Sequence, residues 1–212
     1  EMLWSNDNQD LLLRHAGVMA LTWLDDREAL LALSRDEFPA VRLAVLLALR
    51  RMHDSAVEVF LQDPDPFIAA EAARAINDLP LEDSMPALVD QLRIFQVDAP
   101  ASMMHDAPEQ ERTAVLRRAL NAGIRSGRSE DAAAVAAVAL NEANPPAMRR
   151  EAVAVLADWP EPSVRDRVNG AYRPVPDGDR DLEGWNSVLA RALPRLVQDE
   201  DAELATAARE LA

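Results

Sequence analysis

Residues 61–78, LQDPDPFIAAEAARAIND, place two prolines and two of their three aspartates directly before an alanine-rich amphipathic segment. Proline suits the first turn of a helix, where its missing N–H would have no partner anyway, and an aspartate just upstream caps the free amides. The stretch therefore spells a helix start, and the same spelling recurs. Aligned on its proline, DPDPFIAAEAARAI matches DEFPAVRLAVLLAL, with Pro39 and Pro66 separated by 27 residues. That offset also carries Asp36 to Asp63, Val41 to Ile68, and Ala48-Leu49 to Ala75-Ile76. LLRHAGVMAL supplies Leu13, Arg14 and Ala20-Leu21 in equivalent places, NPPAMRREAVAVL supplies Pro146, Met148, Arg149 and Leu156, and DEDAELATAARELA begins another copy with Asp199 and Leu204. A period of about 30 residues, each one supersecondary unit, is the signature of a solenoid.

Between these segments lie shorter amphipathic helices, REALLALS, SAVEVFLQ and SMPALVDQL. Each unit thus reads as a short helix, a tight turn, a longer helix and a link. In the longer helix the apolar positions Val41, Ala44, Val45, Ala48, Leu49 and Met52 fall on one helical face. One such hairpin cannot bury its apolar face alone, so neighbours must stack into a continuous core. PEQERTAVLRRALNAGIRSG with SEDAAAVAAVALNEA reads as a fourth pair, and PPAMRREAVAVLADW with EPSVRDRVNGAY as a fifth. Two connections are long, 95–108 and 171–181. No composition shift marks a boundary, so residues 1–212 read as a single all-α array of about five to six helical hairpins, a right-handed α-α superhelix. The chain opens on Glu1 and stops inside an apparent helix at Ala212, which reads as a segment of a longer protein.

Composition agrees with helices. Of 212 residues 49% are hydrophobic but only 4% aromatic, and alanine and leucine dominate, which suits close helix packing better than sheet. There is no apolar run of about 18 residues to span a membrane, and EMLWSNDNQD lacks the basic and apolar parts of a signal peptide. The net charge of −15 repels phosphate backbones and argues against nucleic acid as a partner. All 22 basic residues are arginine, which fits either a GC-rich coding bias or a salt-adapted acidic surface. With no cysteine, disulfides, thiol catalysis and Cys-ligated metals are excluded within this chain.

The pattern of Asp36, Val41, Arg42, Ala48 and Leu49, D-x-x-x-x-V-R-x-x-x-x-x-A-L, resembles the HEAT repeat in its short, PBS-lyase-like form. The resemblance covers nearly the whole chain and implies that turn aspartates and arginines form a hydrogen-bonded ladder between stacked units: Asp36, Asp63 and Asp199 with Arg14, Arg42 and Arg149. It speaks to fold and little to function. LLRHAGVMAL, FPAVRLAVLLALRR, PDPFIAAEAARAINDLP and YRPVPDGDRD also resemble the helical middle of large exported bacterial proteins. In those a sorbosone-dehydrogenase-like β-propeller precedes the HEAT array and a c-type cytochrome domain with a CxxCH haem site follows. That likeness implies an exported or periplasmic setting, with both redox centres outside this chain and the array positioning them.

Enzymatic motifs are missing. A HEAT-type di-iron hydroxylase needs repeated His-Glu pairs, whereas His15, His53 and His105 are followed by Ala, Asp and Asp. HEAT-fold DNA glycosylases need a basic face for phosphates. Bilin-lyase-like proteins share the repeat, but nothing beyond it supports chromophore chemistry, and no GxSxG, P-loop or GxGxxG occurs. The expectation is a scaffold without catalytic activity, metal or cofactor, whose partner is protein: other domains of the same chain, or, for a stand-alone adaptor, a separate molecule. Its binding surface is expected along the outward positions of the longer helices, His15, Arg42, Leu46, Arg50, Ala70, Arg74, Asn77 and Arg150, an arginine-bearing stripe of the kind protein partners favour. The alternative is that these arginines balance nearby acids. Trp23 and Trp159 are expected in the core or between repeats, Trp4 and Trp185 at the ends. The methionines of ASMMHD serve either as an adaptable contact surface or as a cover for the core.

Overall fold

The computed structural model of the chain describes residues 1–97, 102, 104–175, 178 and 180–212, and among them the fold is all-α. The helices are α1 (Met2–Asn6), α2 (Leu11–Leu24), α3 (Arg27–Leu33), α4 (Pro39–Met52), α5 (Pro66–Asp78), α6 (Met85–Asp90), α7 (Glu109–Ser126), α8 (Ser129–Leu140), α9 (Pro146–Ala157), α10 (Leu182–Leu196) and α11 (Ala202–Glu210). Short 3-10 helices cover Ser55–Gln62, Glu82–Ser84 and Gln91–Phe95.

Helix starts follow the proline and aspartate chemistry. Pro39, Pro66 and Pro146 each open a helix at its first position. Asp10, Asp26, Asp54, Asp65, Asp181 and Asp201 each accept from an amide of the turn that follows. Each capped amide would otherwise lack a partner, and such a cap contributes about 1 kcal/mol. Four helices end on a left-handed residue: Asp7 after α1, Asp25 after α2, His53 after α4 and Gly127 after α7.

The helices pack in two layers. In one, α2, α4, α5, α7, α9 and α11 each touch the next in turn. In the other lie α3, Ser55–Gln62, α6 with Gln91–Phe95, α8 and α10, each against the helix that follows it in the chain. Helix α5 is enclosed by α4, Ser55–Gln62 and α7. Its Ala69, Ala70, Ala72, Ala73 and Ala75 are all buried, because small side chains let three neighbours approach one backbone. Phe60, Leu46, Leu49, Leu88, Leu92, Leu116, Leu120 and Leu156 fill the space between the layers.

Three elements depart from the sequence reading. Ser55–Gln62 winds as a 3-10 helix; Val57 and Phe60 stand one tight turn apart and both are buried. EPSVRDRVNGAY, read as the second helix of a fifth pair, is not helical. Pro160 and Pro162 break the helix, Gly170 takes a positive φ of 73°, and Arg165 and Tyr172 form an isolated antiparallel bridge. Helix α9 instead pairs back on α8, and α10 packs on α8 before leading to α11. Trp23 is 78% exposed, whereas Trp159 is fully buried beneath the Arg180 guanidinium. Trp4 stacks on Phe38 and the Trp185 indole donates to the Leu156 carbonyl. No helix among the described residues is long and apolar enough to cross a membrane.

Candidate functional site

The arginines and aspartates of the repeat turns meet in two places. Arg42 makes a bidentate pair with Asp63, Nε to Oδ2 at 2.8 Å and Nη2 to Oδ1 at 2.9 Å, and its Nη1 donates to the Asp36 carbonyl at 2.9 Å. The Asp36 carboxylate itself accepts from the Phe38 amide, so it contributes its backbone to the arginine and its side chain to the turn. Arg149 likewise pairs with Asp199 and donates Nε to the Ala139 carbonyl. Asp63 also accepts from the Asp65 amide and Asp199 from the Asp201 amide. Burial alone would raise the Asp199 pKa, but the Arg149 bond and that amide hold it below the usual carboxylate range. The bond from Asp63 pushes the Arg42 guanidinium above its ordinary value. Arg14 joins no such pair; it faces a cleft described below.

A second set of ion pairs ties successive helices of one layer. Arg50 on α4 approaches Glu71 on α5 at 3.9 Å, and Asp78 on α5 pairs with Arg118 on α7 at 2.7 Å. Arg117 on α7 pairs with Glu151 on α9 at 3.0 Å, and Arg150 on α9 pairs with Asp201 and Glu203 at the start of α11.

The expected outward stripe is not a surface. Arg42, Leu46, Ala70 and Asn77 are buried, Arg74 bonds to Glu71 on its own helix, and Arg150 is taken by α11. Helix α4 is packed by α1, α2, α3, Ser55–Gln62 and α5, so the face that carries Arg42, Leu46 and Arg50 is largely covered. Arg42 starts in the turn, Leu46 lies in the core, and Arg50 reaches the rim. His15 and Arg50 do come together, in the cleft.

The ends of α5 and α7 instead carry a buried polar ridge, and part of the chain is seated on it. The Asn121 side-chain amide donates to the Asn77 side-chain oxygen Oδ1 at 2.8 Å and to the Asp166 carboxylate at 2.9 Å. Asp166, only 3% exposed, also accepts from the Val168 and Asn169 amides. Around it, Arg117 donates to the Arg167 carbonyl, Arg125 to the carbonyls of Arg173 and Pro174, and Arg173 reaches Glu82 at 2.8 Å. The stretch 164–174 doubles back as a hairpin-like turn, with the Asp166 amide bonded to the Ala171 carbonyl and the Arg173 amide to the Val164 carbonyl, and it is held on the helices by backbone carbonyls and one carboxylate. Asn121, Asp166 and Arg173 were not singled out from sequence. The helical partner could have been found, since Asn121 stands near the place in α7 that Asn77 holds in α5; a partner 45 residues away in a loop leaves no local signal.

The 27-residue offset that carries Pro39 to Pro66 carries Arg50 to Asn77. Arg50 accordingly stands one unit before the ridge, in a cleft of about 640 Å³ between α2, α4 and the end of α5. Arg14, His15, Arg50, Arg51 and His53 supply its polar lining, Leu11, Val18, Leu47 and Leu79 its apolar lining. The loop histidine is used differently: His105 Nδ1 accepts from the Ser102 amide and Nε2 lies 3.0 Å from the Ile94 carbonyl. In ASMMHD, Ala101 and Met103 lie outside the described residues, while Met104 is buried in the core. In YRPVPDGDRD, Pro176, Asp177 and Asp179 lie outside them.

Compared with protein-family models, curated proteins and solved structures, the chain gives no match in any of the three.

Proposed function

We propose that the chain is a HEAT-like α-α superhelical scaffold without catalytic activity, and that the layer from α2 to α11 binds non-helical segments of a protein partner. The helix-to-helix order of that layer, the repeated ion pairs between its successive members, and the Arg42–Asp63 and Arg149–Asp199 turn pairs support the solenoid reading. The observation that carries the binding reading is the seating of 164–174 on α5 and α7. Asparagine amides and arginines that grip a carboxylate and several main-chain carbonyls are what a non-helical peptide requires, and here a hairpin-like turn of the chain already sits on them. In the setting suggested by the sequence likeness the partners are flanking redox domains; for a stand-alone adaptor they are separate proteins.

The test replaces 163–174 with a Gly-Ser linker and adds a labelled synthetic peptide of the sequence 162–174. Saturable binding that is lost when Asn77 and Asn121 are changed to Ala is the expected result. A folded replacement variant that does not take up the peptide removes the ridge as a binding surface.

A further inference from the structure

The cleft between α2 and α4 gathers positive charge on a chain of net charge −15. Three guanidinium groups and two imidazoles line it, and no carboxylate does. Arg50 has Glu71 at 3.9 Å, whereas Arg14 and Arg51 have no carboxylate partner among the described residues. Elsewhere in the same layer Arg117, Arg118 and Arg150 are each neutralised by an acid of the neighbouring helix. Like charges collected without a counter-charge repel one another and raise the local concentration of anions. Guanidinium forks match carboxylates in two-point bonds, and Leu47 and Leu79 beside them offer apolar contact to the intervening side chains.

The register points the same way. Asp166 rests on Asn77, and Arg50 is the equivalent position one unit earlier, so an extended segment lying along the layer would bring acids to Arg50. Past His53, however, the surface turns acidic, with Asp25, Asp54, Glu82 and Asp83 around a second depression. A nucleic acid binds through many phosphates in a row and would meet these carboxylates as it left the cleft. A peptide can confine its acids to one stretch.

We propose that this cleft binds a short acidic, leucine-containing segment of a protein partner, with Arg14, Arg50 and Arg51 holding its carboxylates. The proposal rests on the reading of the α2-to-α11 layer as the binding surface. The test titrates the full chain against a fluorescein-labelled peptide of alternating glutamate and leucine, read by anisotropy. Saturable binding is expected, weakening as salt rises. Arg51→Glu should weaken it about tenfold or more, a loss of roughly 1.4 kcal/mol, while Arg93→Glu, an equal charge change on the far layer, should leave it nearly unaltered. Should Arg51→Glu fail to fold, Arg51→Gln removes the charge alone and carries the same comparison. Failure of the peptide to bind, equal effects of the two reversals, tighter binding of oligothymidylate, or complete displacement by stoichiometric inorganic phosphate each overturns the proposal. If the 162–174 peptide still binds the linker variant in those cases, the ridge stands and only the cleft is discarded.

Discussion

At the scale of single residues, the Arg42–Asp63 pair has the most at stake. Both side chains are nearly removed from water, at 8% and 2% exposure, so each charge depends on the other. Taking two charges out of water is expensive, which makes a buried pair weak as a net stabiliser but very costly to break on one side. Arg42→Ala leaves the Asp63 carboxylate buried with the Asp65 amide and without its cation. We expect a loss of about 3–5 kcal/mol, read as a lower midpoint in urea with an unchanged slope. Arg93→Ala, at an exposed pair with Asp90, should stay within about 0.5 kcal/mol. Equal effects at the two sites would show that burial does not decide the cost. Arg128 is a poor control despite its exposed position in the link after Gly127, because its guanidinium holds the buried Asp131 carboxylate through two bonds.

Among the elements, the non-helical segment after α9 is the one whose structure depends most on its surroundings. Its anchor is Asp166, which serves two asparagine side chains from other helices and two amides of its own turn. Asp166→Ala leaves the Asn77 and Asn121 amides buried with fewer acceptors, at a cost of about 1–3 kcal/mol. The helices beneath it keep their apolar packing, so the change should appear as faster amide exchange across 164–174 and at the ends of α5 and α7, with far-UV helicity retained. Exchange that rises evenly along the chain would mean that the segment is an integral part of the core and is not seated on it.

For the whole molecule, the distribution of charge matters more than its total. Arginines such as Arg42, Arg117 and Arg118 are committed to pairs within and between layers, while Arg14 and Arg51 gather in the cleft, and the acids in excess leave the rest of the surface strongly negative. Self-repulsion of a net charge of −15 opposes compaction, and salt screens exposed charges while touching the buried pairs far less. The melting temperature should therefore rise from low ionic strength toward about 1 M, where the Debye length is about 3 Å. A flat or falling curve would show that the ion pairs between helices outweigh surface repulsion.

The amino-acid sequence by itself determined the all-α class, the places where helices begin, and the repeat that relates α4 to α5. These follow from local chemistry: proline and aspartate at Pro39, Pro66, Asp65 and Asp201 act on amides within a few residues, and the spacing of alanine and leucine fixes which face turns inward. The importance of Arg42 and Arg149 was legible for the same reason, because the repeat puts each of them at a fixed place after a turn. What only the tertiary structure decided was which polar groups meet across long separations. Asn77 and Asp166 are 89 residues apart, and Arg173 reaches the Asn77 carbonyl over 96. Neither contact has a periodic or local signature, since each depends on where the chain returns to helices packed much earlier in it. Helix packing likewise decided that Leu46 and Ala70 are buried and Trp23 exposed, and it brought His15 and Arg14 of α2 to Arg50 and Arg51 of α4 to form the basic cleft.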